Sequence, residues 1–337
     1  VGGVVIFLPQ ILILFFFIGL MENTGYLARV SFMMDRLMSG VGLNGKAFVP
    51  VLSSYACAIP GIMATRTMES ARDRLITTLI APITSCSARL PVYVMLIALM
   101  LPVGTAGQKA LVMIGLYVLS IIGVYTFAWV FNRTLEKSEK TLMVLELPSY
   151  QRPSWREITL QMYERGKIFL RRAGTVILGL SIVLWAMTTY PKSDSEDGSE
   201  QLAYSAAGRL GKTIEPVIEP LGYDWKMGIG LVASFAAREV FVSTMSIIYL
   251  GEEAEEDSVR DRMAEETRAD GKPAYDVRTC LSLLVFYVFA MQCLSTVAVT
   301  RRETNSWRWA ILQVVYLTGF AYLAALATYQ IGGFFLS

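Results

Sequence analysis

The 337-residue chain is 54% hydrophobic and 17% charged, with a mean hydropathy of +0.48; soluble domains are about a quarter charged, so this is a membrane protein. A formal charge of +2 leaves no bulk basic field for nucleic acid, and the absence of histidine removes imidazole metal sites and general bases. Four cysteines scattered through apolar runs are too few for a disulfide framework, so a soft metal would be held by Cys or Met.

The chain opens at Val1, with no basic segment or small-residue cleavage site before its first apolar run. It reads as a fragment of a longer chain and not as a signal peptide. A helix needs about twenty apolar residues to cross a bilayer, and the stretches that qualify are 3–21, 74–102, 108–131, 173–190, 278–299 and 309–333. Two shorter apolar stretches are interrupted: 46–69 contains Pro50 and Pro60-Gly61, and 226–250 is split by Arg238-Glu239. Both read as re-entrant hairpins. Segment 132–172 carries nine Lys or Arg and reads as cytoplasmic, with an interfacial helix, by the positive-inside bias. The acidic loops 191–224 and 251–277 then fall outside, while Arg29, Arg36, Lys46, Arg72, Arg74, Arg301, Arg302 and Arg308 fall inside.

Sliding the chain on itself pairs Gly42 with Gly222, Lys46 with Lys226, Ser54 with Ser234 and Ala56 with Ala236. After each hairpin comes a span interrupted by a cysteine among small hydroxyl residues, Thr84-Ser85-Cys86-Ser87 and Cys293-Leu294-Ser295-Thr296. The topology makes the two units inverted repeats, an architecture in which transporters place substrate where broken helices meet. The predicted fold class is an all-α, polytopic membrane protein with two such repeats.

Interrupted helices at membrane depth leave backbone groups that only protein or a wet cavity can satisfy. In the first hairpin Ser54, Pro60 and Gly61 flank Cys57; in the first broken span Thr84, Ser85 and Ser87 flank Cys86, with Arg89 and Pro91 following; Ser295 and Thr296 follow Cys293. Thiolates suit Fe(II), Zn(II) and Cu(I). A lone cysteine in a membrane helix is ordinarily a small buried hydrophobe, which is the reading for Cys280; the shared setting of Cys57, Cys86 and Cys293 points to a transition-metal path. Met63, Met95, Met245 and Met291 read as packing residues. Glu239 reads either as a cation site or as half of a structural ion pair, since a charge at that depth needs a partner or a cavity. Gly208-Arg209-Leu210-Gly211-Lys212-Thr213 ends like a phosphate-binding loop but has Ala206 where the motif needs glycine, so no nucleotide site is expected here, and no nucleophile–base set for catalysis either.

These residues resemble the transmembrane region of the bacterial ferrous iron transporters of the FeoB family. The strings that carry the likeness include Glu22-Asn23-Thr24-Gly25-Tyr26-Leu27, Cys57-Ala58-Ile59-Pro60-Gly61-Ile62-Met63, Ser85-Cys86-Ser87-Ala88-Arg89-Leu90-Pro91, Arg238-Glu239 and Cys293 through Arg301-Arg302-Glu303-Thr304. Arg238 stands where the family more usually has lysine, and Gln292 where proline is common. The resemblance implies Fe(II) uptake through the bacterial inner membrane, with Cys57, Cys86 and Cys293 as ion contacts. It further implies a GTP- and Mg-binding domain preceding the membrane region and small cytoplasmic Feo partner proteins; a homo-oligomer is compatible with it. The expected organisation is a first gate repeat and following span at 1–131, the cytoplasmic linker at 132–172, and a second gate repeat with the terminal span at 173–337. The competing readings are a nucleoside or other organic-solute carrier, since concentrative nucleoside transporters have similar hairpin repeats, and a membrane thiol redox sensor.

Overall fold

The computed structural model describes residues 2–135, 150–160, 162–164, 166–167, 179, 182–183, 186–187, 190, 204–235, 238, 240–250, 256–267, 273–291 and 293–335. The expected span 173–190, most of the linker interior, the tip 192–200, Glu239 and Gln292 therefore lie largely or wholly outside the described residues. Among the described residues the structure is helical, with one isolated bridge between Thr267 and Pro273. In chain order the helices are α1 (Gly2–Asn23), α2 (Tyr26–Gly40), α3 (Phe48–Ala56), α4 (Ala58–Ala64), α5 (Ala71–Ile80), α6 (Leu90–Met100) and α7 (Ala106–Thr134). They continue as α8 (Ala206–Ile218), α9 (Trp225–Ser234), α10 (Val240–Leu250), α11 (Glu256–Glu265), α12 (Val277–Phe289), α13 (Leu294–Thr304) and α14 (Trp307–Phe335).

Among the described residues four segments are long and apolar enough to cross a membrane: Ala71–Met100, Ala106–Thr134, Val277–Thr304 and Trp307–Gly333. They match four of the spans expected from sequence, and the expected span 3–21 coincides with α1. The first holds α5 and α6 and the third α12 and α13, so the polar interruptions seen in the sequence coincide with interruptions of the α-helix. Two parts of the expected outer loops are helical instead. Ser205 caps α8 by accepting the Gly208 amide at 3.2 Å, and α11 is pinned by Val259 and Met263, one turn apart and fully buried. The sequence resembling a phosphate-binding loop lies inside α8 and is not a loop.

The chain forms two compact units. One comprises Val1–Ser87, Ser120–Leu178 and Ser295–Gln313; the other comprises Ala88–Leu119, Gly179–Leu294 and Val314–Ser337. The chain thus changes unit one residue after Cys86 and one residue after Cys293.

In the first unit, α2 is followed by Gly42, whose φ of +79° and whose amide bond to the Ser39 carbonyl at 3.0 Å form a left-handed helix stop. Two residues later Asn44 accepts the Lys46 amide at 3.1 Å. In the second unit the same sequence of events follows α8: Gly222 has φ +79°, and two residues later Asp224 accepts the Met227 amide at 2.8 Å. Each glycine also lies under a side chain of a long span. A Cβ on Gly42 would fall 1.7 Å from Asn132 of α7, and one on Gly222 would fall 2.4 Å from Tyr329 of α14. Gly42→Ala and Gly222→Ala are each expected to cost about 1–2 kcal/mol from the left-handed backbone alone, seen as a lowered unfolding midpoint in detergent. An unchanged midpoint in both would show that these stops bear no strain.

Further correspondences sit beside the glycines. Lys46 pairs with Glu69 at 2.7 Å in the first unit, and Lys226 pairs with Glu266 at 2.5 Å in the second. The hydrogen bond from Lys46 holds the Glu69 carboxyl below its ordinary range. Ser54 donates to the Pro50 carbonyl and Ser234 to the Gly230 carbonyl, both at 2.7 Å.

Candidate ion path

Helix α3 stops at Ala56 because Cys57 is extended, with φ −156° and ψ 133°. Pro60 is the third residue of α4, where its missing amide would have had no helical partner in any case. The two helices fold back on each other as a hairpin. Gly61 makes this possible, since a Cβ there would lie 1.8 Å from the Ser54 hydroxyl and 2.7 Å from the Pro50 carbonyl. Cys57 is half-buried at the turn between them.

The second interruption runs from Ala81 to Arg89 as two short 3-10 turns flanking Thr84-Ser85-Cys86. Its loose backbone groups are taken up by side chains. Thr84 donates to the Ala81 carbonyl at 2.7 Å. Ser120, fully buried on α7, donates to the Ile83 carbonyl and accepts the Ser85 amide, both at 3.0 Å. One hydroxyl therefore closes both sides of the break, as membrane burial requires. The Ser87 hydroxyl donates to the Ala56 carbonyl at 2.9 Å, which stitches this interruption to the first. Cys57 and Cys86 are each one residue from that bond. Both are half-buried, while Thr84, Ser85 and Arg89 are buried and Pro91 is half-buried.

The second unit repeats the stitching with other groups. The Leu294 amide donates to the Phe235 carbonyl at 3.1 Å, joining the break after α9 to the break between α12 and α13. Arg238, itself buried, donates to the Ala290 carbonyl at 3.3 Å across the same pair of breaks. Ser234 shares a 2.7 Å hydrogen bond with the Tyr287 hydroxyl. Cys293 and Ser295 are half-buried and Thr296 is buried. All four cysteines are thiols, not disulfides. Cys280 is fully buried and its thiol reaches the Tyr275 carbonyl at 3.7 Å, in keeping with a packing residue. Among the described residues no group of three or more Cys, Asp or Glu forms a ligand cluster. Cys57 and Cys86 come together within the first unit, Cys293 belongs to the second, and Glu239 lies outside the described residues.

Several polar groups that bear on this region were not singled out by the sequence. Ser120 is one. Gln313, fully buried on α14, accepts from Thr300 at 2.8 Å and donates to the Thr78 and Leu79 carbonyls at 2.9 and 3.2 Å. Glu303, with a side chain only 2% exposed, receives Arg66 in two hydrogen bonds and Arg74 at 3.2 Å. This ties the exit of the first hairpin to α5 and α13 and raises the Arg66 guanidinium above its ordinary value. A lone Ser or Gln in an apolar span is the available sequence signal, because a polar group at that depth needs a partner.

Over residues 4–100 and 170–307 the chain matches the gate family, described as nucleoside recognition, and over 113–165 it matches the ferrous iron transport protein B C terminus. The Fe(2+) transporter FeoB of Leptospira interrogans serovar copenhageni is 45% identical over 345 residues, covering 98% of this chain and 49% of that protein. The Fe(2+) transporter FeoB of Staphylococcus aureus strain MSSA476 is 38% identical over 337 residues, covering 100% of this chain and 48% of that protein. A Porphyromonas gingivalis protein, named as a fusion of Fe(2+) transport protein A with Fe(2+) transporter FeoB, is 38% identical over 98% of this chain and 43% of its own length. The chain spans about half the length of these curated relatives, and no solved structure matches it. With the gate model matching most of the chain and the FeoB relatives aligned along nearly all of it, the chain belongs to the gate family and corresponds to the transmembrane part of the FeoB transporters.

Proposed function

We propose that this chain is the membrane domain through which Fe(II) enters across the bacterial inner membrane, along a path to which Cys57, Cys86, Cys293 and Glu239 contribute. The observation that carries the reading is the Ser87–Ala56 hydrogen bond, which brings two thiol-bearing backbone breaks together in a chain whose relatives are named Fe(2+) transporters. Fe(II) is borderline in softness and accepts thiolate beside oxygen ligands. An ion that must leave again is served by a mixed and incomplete ligand set better than by a closed cage. Partly dehydrated Fe(II) exchanges water for thiolate and for hydroxyl or carbonyl oxygens near the breaks.

The domain division at 1–131, 132–172 and 173–337 and the inversion of the two gate repeats belong to the same proposal. The repeat that underlies them is supported by the paired helix stops at Gly42 and Gly222 and the paired serines at 54 and 234. GTP and Mg act on a separate region that biases gating from the basic cytoplasmic face, so this domain transports and does not itself catalyse. The fusion relative favours a small Feo protein as a cytoplasmic partner.

Fe(II) uptake into anaerobic proteoliposomes tests the path in the full-length protein. Cys57→Ser and Cys86→Ser are each expected to reduce uptake by about tenfold or more, with Cys293→Ser also reduced and insertion unchanged. Full uptake in all three variants would return the cysteines to packing roles. The description of the gate family as nucleoside recognition favours one second reading, a nucleoside carrier. Uptake of labelled uridine that Fe(II) does not inhibit, with no Fe(II) uptake, would select it.

A further inference from the structure

A cavity of about 230 Å3 lies inside the first unit, walled by α2, α3, α5 and α7. Its α7 wall is Ile121, Val124, Tyr125 and Ala128, the i, i+3, i+4 and i+7 positions of one helix face. Its α3 wall includes Leu52 and Tyr55, and Tyr55 stands two residues before Cys57. No charged side chain lines it, and the only polar side-chain groups on its walls are tyrosine hydroxyls. Leu52 and Ile121 are 46% and 41% exposed, and Ile122 beside them is 56% exposed, so the mouth opens on the outer face of a membrane-spanning helix.

At that depth the surrounding medium is hydrocarbon. An apolar cavity does not hold water, and left empty its walls lose dispersion contacts on one side. The molecule at hand to fill it is a lipid chain. Just past the cavity face, α7 ends in exposed Arg133, which lies 4.1 Å over the Trp129 ring, and Arg36 on α2 is exposed as well. Tryptophan and arginine at a span end mark the headgroup level, and a cation there favours an anionic headgroup.

We propose that this cavity binds one acyl chain of an anionic phospholipid, whose tail rests against Tyr55 and braces the hairpin that carries Cys57. The bracing of Cys57 as part of an ion path rests on the function proposed above; the binding itself does not. Native mass spectrometry of the full-length protein, released from nanodiscs of phosphatidylglycerol or phosphatidylcholine, tests it. The wild type is expected to retain one phosphatidylglycerol through prolonged detergent exchange. Leu52→Trp at the mouth and Ala128→Phe in the wall should each retain about tenfold less, and Ile122→Trp, exposed but outside the cavity, should retain as much as wild type. Arg133→Gln should erase the preference for phosphatidylglycerol. Equal retention in Leu52→Trp and Ile122→Trp would mean peripheral lipid only and would overturn the proposal. Equal retention of the two lipids by wild type would overturn the headgroup assignment. Should Ala128→Phe fail to fold, the exposed position of Leu52 lets Leu52→Trp decide alone.

Discussion

Gly61→Ala is expected to destabilise the first hairpin by about 3 kcal/mol and to bring uptake down with it. The new methyl group would sit 1.8 Å from the Ser54 hydroxyl, 2.7 Å from the Pro50 carbonyl and 2.9 Å from the Ser54 Cβ. The hydroxyl cannot simply rotate away without giving up its 2.7 Å bond to Pro50. The carbonyl belongs to the helix backbone and cannot rotate at all, so α3 and α4 must separate. Two readouts follow: a lower unfolding midpoint in detergent, and faster labelling of Cys57 by a thiol reagent as the hairpin opens. Adding Ser54→Ala removes the closest clash but leaves the carbonyl, so the double variant should recover only part of the loss. Wild-type midpoint and labelling rate in Gly61→Ala would refute close packing at this turn.

The described spans and the turn at Cys57 were legible because both are local in origin. Runs of apolar residues set the spans, and Pro60-Gly61 beside the extended Cys57 set the turn between α3 and α4. The helix stops at Gly42 and Gly222 were visible only as paired identities; their shared left-handed backbone gives those identities a physical cause. What escaped the sequence was structure fixed by distant partners. Helices α8 and α11 sit in segments read as loops, and among its described side chains α11 buries Val259 and Met263, too little apolar periodicity to register. The pairing of Arg66 and Arg74 escaped as well, because their common partner, Glu303, is more than two hundred residues away.

The candidate path was legible to a similar degree. Residue type placed Cys57, Cys86 and Cys293 at breaks, since Pro, Gly and small hydroxyl residues accompany backbone interruption. Residue type could not say what satisfies the interrupted backbone. In the first unit that work falls to Ser87 and Ser120, in the second to the Leu294 amide and Arg238, so the two units reach a like result with unlike groups. Nor does the repeat in sequence define the packing units. Helix α6 follows Cys86 in the first half of the chain, yet it belongs with α10, α11 and α12 in the second unit. Repeats record matching segments, whereas compact units record which faces bury one another.

Ser120 carries the second large effect. Ser120→Ala would leave the Ile83 carbonyl and the Ser85 amide without their present partner in a buried, membrane-embedded break. Each such loss costs about 1–3 kcal/mol, so the variant is expected to lose about 4 kcal/mol in all and to displace the segment that presents Cys86. Ser120→Thr keeps the hydroxyl and should restore most of the midpoint. Thr126, on the same helix, supplies the control. Its exposed hydroxyl bonds only the Ile122 carbonyl one turn back at 2.8 Å, so Thr126→Ala should leave both stability and uptake unchanged. A positioning role for Ser120 also predicts a change that mere destabilisation would not give: at temperatures where the variant is folded, half-saturating Fe(II) should rise in Ser120→Ala and return in Ser120→Thr. If Ser120→Ala and Thr126→Ala prove alike in midpoint and in Fe(II) dependence, the break is held by its own backbone, and Cys86 owes nothing to α7.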